Sequence, residues 1–155
     1  MFCTVDSSLG VYAEGTLRLV PHDGAPTIDG LGRLDMFLAG AWGSVCSEGF
    51  TPGSAIVACK QMGFSSGQLH AGASGCNLGG QSFCAKPPHV SDVSCIGHEL
   101  DIASCSFAEG EDVFCAASES VVLTCVGDGE TSGRPTKMAP LLLACCKLLL
   151  SMRRL

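Results

Sequence analysis

The chain has 155 residues and a formal charge of −6, enough for one ordinary domain and hardly two. Hydrophobic residues make up 46% and charged residues 15%, which excludes a disordered polyelectrolyte and is enough to bury a core. An acidic chain with one Trp and one Tyr carries no electrostatic footprint for nucleic acid, so that class of partner is excluded.

The cysteines carry the most information. There are 11, about 7% of the chain and close to the level of disulfide scaffolds. They stand at 3, 46, 59, 76, 84, 95, 105, 115, 125, 145 and 146, with eight between Cys46 and Cys125. Zinc modules bring two ligands to one ion from a tight turn, as Cys-x-x-Cys or His-x-x-x-His. Neither spacing occurs, and His22, His70, His89 and His98 are scattered. The set reads as a disulfide framework, ahead of zinc or reduced core cysteines, and places the domain in an oxidising compartment outside the cytosol. Spacing alone does not choose the pairing. Nothing near Met1 has the basic start and long apolar run of a signal peptide, so the chain reads as a fragment of a longer secreted or surface protein.

Along the chain, residues 1–15 read as a featureless N-terminal extension. Leu17 and Leu19 alternate with Arg18 and Val20, as in a short edge strand. In Gly32–Leu38, the residues Leu34, Met36 and Leu38 fall on one face at period two. A turn at Gly40 then leads into Trp42–Cys46, which makes a hairpin. The spacing predicts a helix over 54–62, with Ser54 at its start and Gly63 at its end. Ile56, Cys59 and Met62 are predicted to share its inward face. Residues 64–90 are rich in Gly, Ser and Ala and read as a long irregular loop. Leu100–Ala103 suits one helical turn, and Val121–Thr124 a buried closing strand. Composition shifts after Cys125, with a linker at 127–137 and an apolar, basic tail at 138–155. Residues 16–125 hold 11 acids against 4 bases, whereas 126–155 hold 2 against 5.

Taken in order, these pieces resemble a scavenger receptor cysteine-rich domain. They are Leu-Arg-Leu-Val at 17–20, Gly-Arg-Leu-Asp-Met-Phe at 32–37 and Trp-Gly-Ser-Val-Cys at 42–46. Ala-Ile-Val-Ala-Cys-Lys-Gln-Met-Gly at 55–63, Asp-Val-Ser-Cys-Ile-Gly-His-Glu at 92–99 and the even steps to Cys105, Cys115 and Cys125 follow. The resemblance covers roughly residues 16–126. It implies an α+β fold: a compact domain with a curved antiparallel sheet, one main helix and long disulfide-tied loops. It also implies the bridges Cys46–Cys115, Cys59–Cys125 and Cys95–Cys105. The family's larger group has a fourth bridge, but its places fall near Leu31 and Phe64 here, so that bridge is absent. Cys76 and Cys84 are instead expected to pair locally and brace their loop, giving a six-cysteine-like domain with one added clip.

The resemblance further implies an extracellular module that binds polyanionic or protein ligands, often with calcium assistance. The family's cation positions read Ser47, Glu48, Thr51 and Glu119 here, so two carboxylates remain and two are hydroxyls. Calcium takes about six to eight oxygens, and its affinity falls with carboxylate count. Glu48 and Glu119 therefore form a weak candidate site, against the plainer reading of solvated surface acids. Asp92 and Glu99 form a weaker second candidate. Glu109, Glu111 and Asp112 read as a solvated loop. The alternative function is a disulfide-stabilised structural or adhesion module without a ligand of its own.

No glycine-rich phosphate loop precedes a helix and no His-Glu-x-x-His occurs, so no enzyme activity is expected. The apolar run 139–150 is too short for the about 20 residues of a membrane span and contains Lys147. With Arg153 and Arg154 behind it, the tail suits association with an anionic membrane surface, and Cys145–Cys146 suit acylation if cytosolic. The plainer reading is an unstructured end. Membrane association through segments outside this chain is the other route.

Overall fold

A computed structural model describes residues 3–6, 10–21, 30–70, 77–78, 81–82, 84 and 87–127. The linker beyond Gly127 and the tail, including Cys145 and Cys146, lie outside the described residues, as does Cys76. Among the described residues, eleven strands and one α-helix follow in chain order. They are β1 (Cys3–Asp6), β2 (Gly10–Ala13), β3 (Leu17–Val20), β4 (Leu31–Leu38), β5 (Ala41–Ser44), α1 (Pro52–Gln61), β6 (Ser66–Leu69), β7 (Asn77–Leu78), β8 (Gln81–Ser82), β9 (Val90–Ser94), β10 (Ser106–Glu109) and β11 (Val122–Val126). Short 3₁₀ turns occupy Ile102–Ser104, Gly110–Asp112 and Ala117–Glu119. One helix against antiparallel sheets makes this an α+β fold.

The central sheet is built on β4, which pairs antiparallel with β3, β5 and β11, while β11 pairs onward with β6. The edge strand, the hairpin and the closing strand thus stand where the alternation of apolar residues put them. Ala39 and Gly40 turn the β4–β5 hairpin with φ of 51° and 78°, the left-handed pair that matches strand twist. Leu34 and Met36 face the core with Leu17 and Leu19, against Ala55, Val57, Ala58 and Cys59 of α1 and Val90, Val93, Ile102, Val121 and Leu123. The opposite face of β4 is also closed, because Phe37 packs beside the rings of Tyr12 and Trp42. A simple inside-outside alternation does not anticipate that second buried face.

The helix begins two residues earlier than the sequence pattern predicts. Thr51 is the cap: its hydroxyl accepts the Ser54 amide at 3.2 Å, and Pro52 lies in the first turn, where it has no amide to waste. Ser54 is instead a buried anchor, its hydroxyl donating to Val93 O at 2.7 Å and accepting Cys95 N at 3.0 Å. The buried face runs through Ser54, Ala55, Val57, Ala58 and Cys59, with Ile56 and Met62 only half-buried. Small side chains at 54, 55 and 58 let the helix axis come close to the sheet. That closeness turns its inward face away from the predicted 56–59–62 line.

Seven of the described strands were not expected, among them β7 and β8, which pair within the loop expected over 64–90. Ser66–Leu69 lacks any β-branched residue, yet pairs with β11 so that Gly67 lies opposite Cys125 and beneath the Cys59 sulfur. β9 and β10 form a separate two-stranded sheet after the loop expected over 64–90. Residues 3–6 and 10–13, inside the extension predicted to be featureless, pair as β1 and β2 with Cys3 opposite Ala13.

Disulfides join Cys46 to Cys115, Cys59 to Cys125 and Cys95 to Cys105, with Cα separations of 6.1, 5.5 and 5.0 Å. These are the pairs that the resemblance implies. The first two close loops of 69 and 66 residues. On a chain-entropy model, each stabilises by about 4 kcal/mol. Cys84 is also disulfide-bonded, and its sulfur packs beside Val122. The other six described half-cystines pair with one another, so its partner is not among them.

Candidate functional site

Three separated segments meet beyond the end of β5. Cys46 N donates to Val90 O at 2.8 Å, Ser47 N to Glu119 O at 2.7 Å and Asp92 N to Glu48 O at 3.1 Å. Cys46 stands opposite Ser120 in an antiparallel bridge, and Val45 beside Val90 in a parallel one. This backbone lacing sets Glu48 next to Asp92 and Ser47 next to Glu119. All three acidic residues are exposed. Glu48 and Glu119, paired in the sequence analysis, do lie on neighbouring segments, tied further by Cys46–Cys115. The Glu119 carboxylate lies within 4.8 Å of both sulfurs of that bridge.

Asp92 takes a left-handed conformation at φ 55°, uncommon for a residue with a side chain. Its Oδ2 accepts the Ser91 hydroxyl at 2.8 Å. A side chain at Gly49 would run into Asp92 Oδ1, so glycine there keeps the 48–49 turn against the aspartate. Asp92 thus stands beside Glu48. Its neighbourhood was illegible in the sequence because it depends on the Val45–Val90 contact, between segments far apart in the chain.

Glu99, the other member of that sequence pair, is held differently. Its carboxylate accepts Ile96 N at 2.8 Å, Gly97 N at 2.9 Å and His98 N at 3.0 Å. The Ile96 amide, with the other loop amides, holds this carboxyl below the usual carboxylate range. Glu99 closes its own turn, which the Cys95–Cys105 bridge braces.

Two more of the expected oxygens are partly engaged. Thr51 Oγ1 accepts Ser54 N and donates to Cys95 O at 2.9 Å, so its lone pairs serve the helix start. Glu119 Oε2 accepts Ala116 N at 2.7 Å while Glu119 N donates to Ala116 O, closing the turn at 117–119. The oxygens not engaged in these bonds are those of Glu48, Asp92 Oδ1, the second oxygen of Glu119 and the Ser47 hydroxyl. Such hard oxygen donors on exposed loops suit calcium at low affinity.

A second cluster lay outside the sequence expectations. Asp35 is buried and accepts Arg33 Nε at 2.7 Å, Arg33 Nη2 at 3.0 Å and Arg18 Nη2 at 3.2 Å. The Arg18 guanidinium lies 4.2 Å from the centre of the Trp42 ring. Its sequence signal is the pair of charges at alternating positions inside an apolar strand.

Comparison with known proteins gives a consistent picture. The family model described as "Scavenger receptor cysteine-rich domain" matches residues 26–126. A "Scavenger receptor cysteine-rich domain superfamily protein" of Patiria pectinifera is 30% identical over 107 residues, covering 69% of this chain and 9% of that protein. The chain thus corresponds to a small part of that relative. Among solved structures, the third SRCR domain of murine neurotrypsin is 27% identical with a TM-score of 0.53, covering 72% of this chain and 96% of that one. The dimeric form of the SRCR domain of mouse MARCO is 21% identical with a TM-score of 0.51, covering 65% and 93%.

Proposed function

Because the chain belongs to the scavenger receptor cysteine-rich family, we propose that it is an extracellular or cell-surface ligand-binding module. In this reading it recognises polyanionic or protein ligands with the help of a weakly held calcium ion. Domains of this family occur in extracellular or cell-surface proteins and are typically non-enzymatic receptor modules. The disulfides fit that oxidising setting. Among the described residues no helix is long and apolar enough to cross a membrane.

The observation that supports the reading is that backbone bonds lace together the segments carrying Glu48, Asp92 and Glu119, all three of them exposed. An acidic domain repels an anionic ligand at long range. When bound, calcium supplies the positive charge through which such a surface can hold an anion. Glu48, Asp92 and Glu119 would hold it, with Ser47 adding a neutral oxygen and Thr51 left to the helix. With few carboxylates, the affinity falls at about 10⁻⁴–10⁻³ M.

Calorimetry of the oxidised chain with calcium tests this. Millimolar binding is expected, weakened by Glu48→Gln and strengthened by Ser47→Asp. No binding at millimolar calcium, with no gain from Ser47→Asp, would leave these acids as surface residues. A second reading, a structural or adhesion module of a larger protein, is favoured by the local use of the Glu99 carboxylate, Glu119 Oε2 and the Thr51 hydroxyl. Uniformly blank binding to polyanions, bacterial surfaces and matrix proteins, with and without calcium, would select it.

A further inference from the structure

We propose that the N-terminal hairpin is a detachable strap that closes over the Trp42 face of the central sheet. The β1–β2 hairpin pairs with itself and with no strand of the five-stranded sheet. An isolated two-stranded hairpin is marginal in water, so its order here depends on docking. The docking contacts converge on one hairpin turn and two rings. The Tyr12 ring lies 5.2 Å from Trp42 and 5.5 Å from Phe37, centre to centre. The Glu14 carboxylate accepts Ala39 N at 2.7 Å and Gly40 N at 3.3 Å, the two amides of the β4–β5 turn.

Behind these contacts the chain is firmly tied. Gly15 N donates to Phe37 O, and Phe37 N to Thr16 O. Gln61 Nε2 donates to Gly15 O at 2.8 Å. Gly15, with φ 84°, belongs to this tied part, so the hairpin lifts ahead of it.

On the same face, where Arg18 lies over the Trp42 ring that Tyr12 contacts, Trp42 Nε1 and Arg18 Nε are buried without a hydrogen-bond partner. Each such donor is destabilising when kept from water. Lifting the hairpin lets water reach this face, so opening recovers hydration that closure withholds. Ring packing and the Glu14 bonds favour the closed state; the two orphan donors favour the open one. That opposition makes the strap a low-stability unit on a rigid support.

The single Trp and single Tyr of the chain make the test direct. In the full oxidised chain, Tyr12→Ala and Glu14→Ala should each red-shift Trp42 emission and raise its quenching by acrylamide. Glu14→Ala, which keeps Tyr12, should also lower energy transfer from Tyr12 to Trp42. Far-UV circular dichroism and the disulfide pattern should be retained. Native-state hydrogen exchange should show the amides of 10–13 opening before those of β4 and β11. Unchanged Trp42 emission and quenching in both variants would overturn the strap. So would exchange of 10–13 only through global unfolding.

Discussion

Replacing Asp35 by alanine should be among the most damaging single changes to the central sheet. The Asp35 side chain is 3% exposed, and that of Arg33 is 10% exposed. Their two-pronged contact, at 2.7 and 3.0 Å, fixes both side chains on the closed face of β4. Truncation leaves the Arg33 guanidinium without this carboxylate in a site closed to solvent, a change that typically is destabilising by about 3–5 kcal/mol. That is a large part of the roughly 5–15 kcal/mol that holds a domain folded. Arg18→Ala should be milder, about 1 kcal/mol, because Arg18 is a quarter exposed and contributes one bond and one ring contact. Removing both charges, as Arg33→Leu with Asp35→Leu, should recover much of the loss, since no buried charge then stands alone. Urea unfolding with disulfides intact, followed by Trp42 fluorescence, measures all four proteins. Asp35→Ala should lower the thermal midpoint by more than about 10 °C. A loss under about 1 kcal/mol, or a double variant as weak as Asp35→Ala alone, would refute this account of the pair.

Two further outcomes are expected. Gly67→Ala should destabilise by about 1–3 kcal/mol, because a Cβ there meets the Cys59 sulfur and the Ala55 carbonyl; thermal melting of the oxidised protein checks it, and an unchanged midpoint would contradict that packing. Non-reducing peptide mapping should link Cys84 to Cys76, a local clip beside β11, and recovery of Cys76 as a quantitative free thiol would rule that pairing out.

What the sequence determined by itself is what local chemistry dictates. Period-two alternation from Leu17 and Leu34 placed β3 and β4, the β-branched run before Cys125 placed β11, and Gly63 marked the helix end. The cysteine spacing named a disulfide domain, and its resemblance to a family supplied the three pairs. Tertiary structure decided what depends on partners distant in the chain. Ser66–Leu69 has little intrinsic strand preference and becomes one because β11 offers a free edge and Cys59–Cys125 pins it there. Ser54 looked like a cap, yet the buried carbonyl of Val93 claims its hydroxyl, which leaves the capping to Thr51. Asp92 joins Glu48 rather than acting beside Glu99, because β9 docks along Val45 while the Glu99 carboxylate turns back on its own amides. Tyr12 and Glu14 carry no pattern of their own, since what they contact is the Trp42 ring and the Ala39–Gly40 amides of another hairpin.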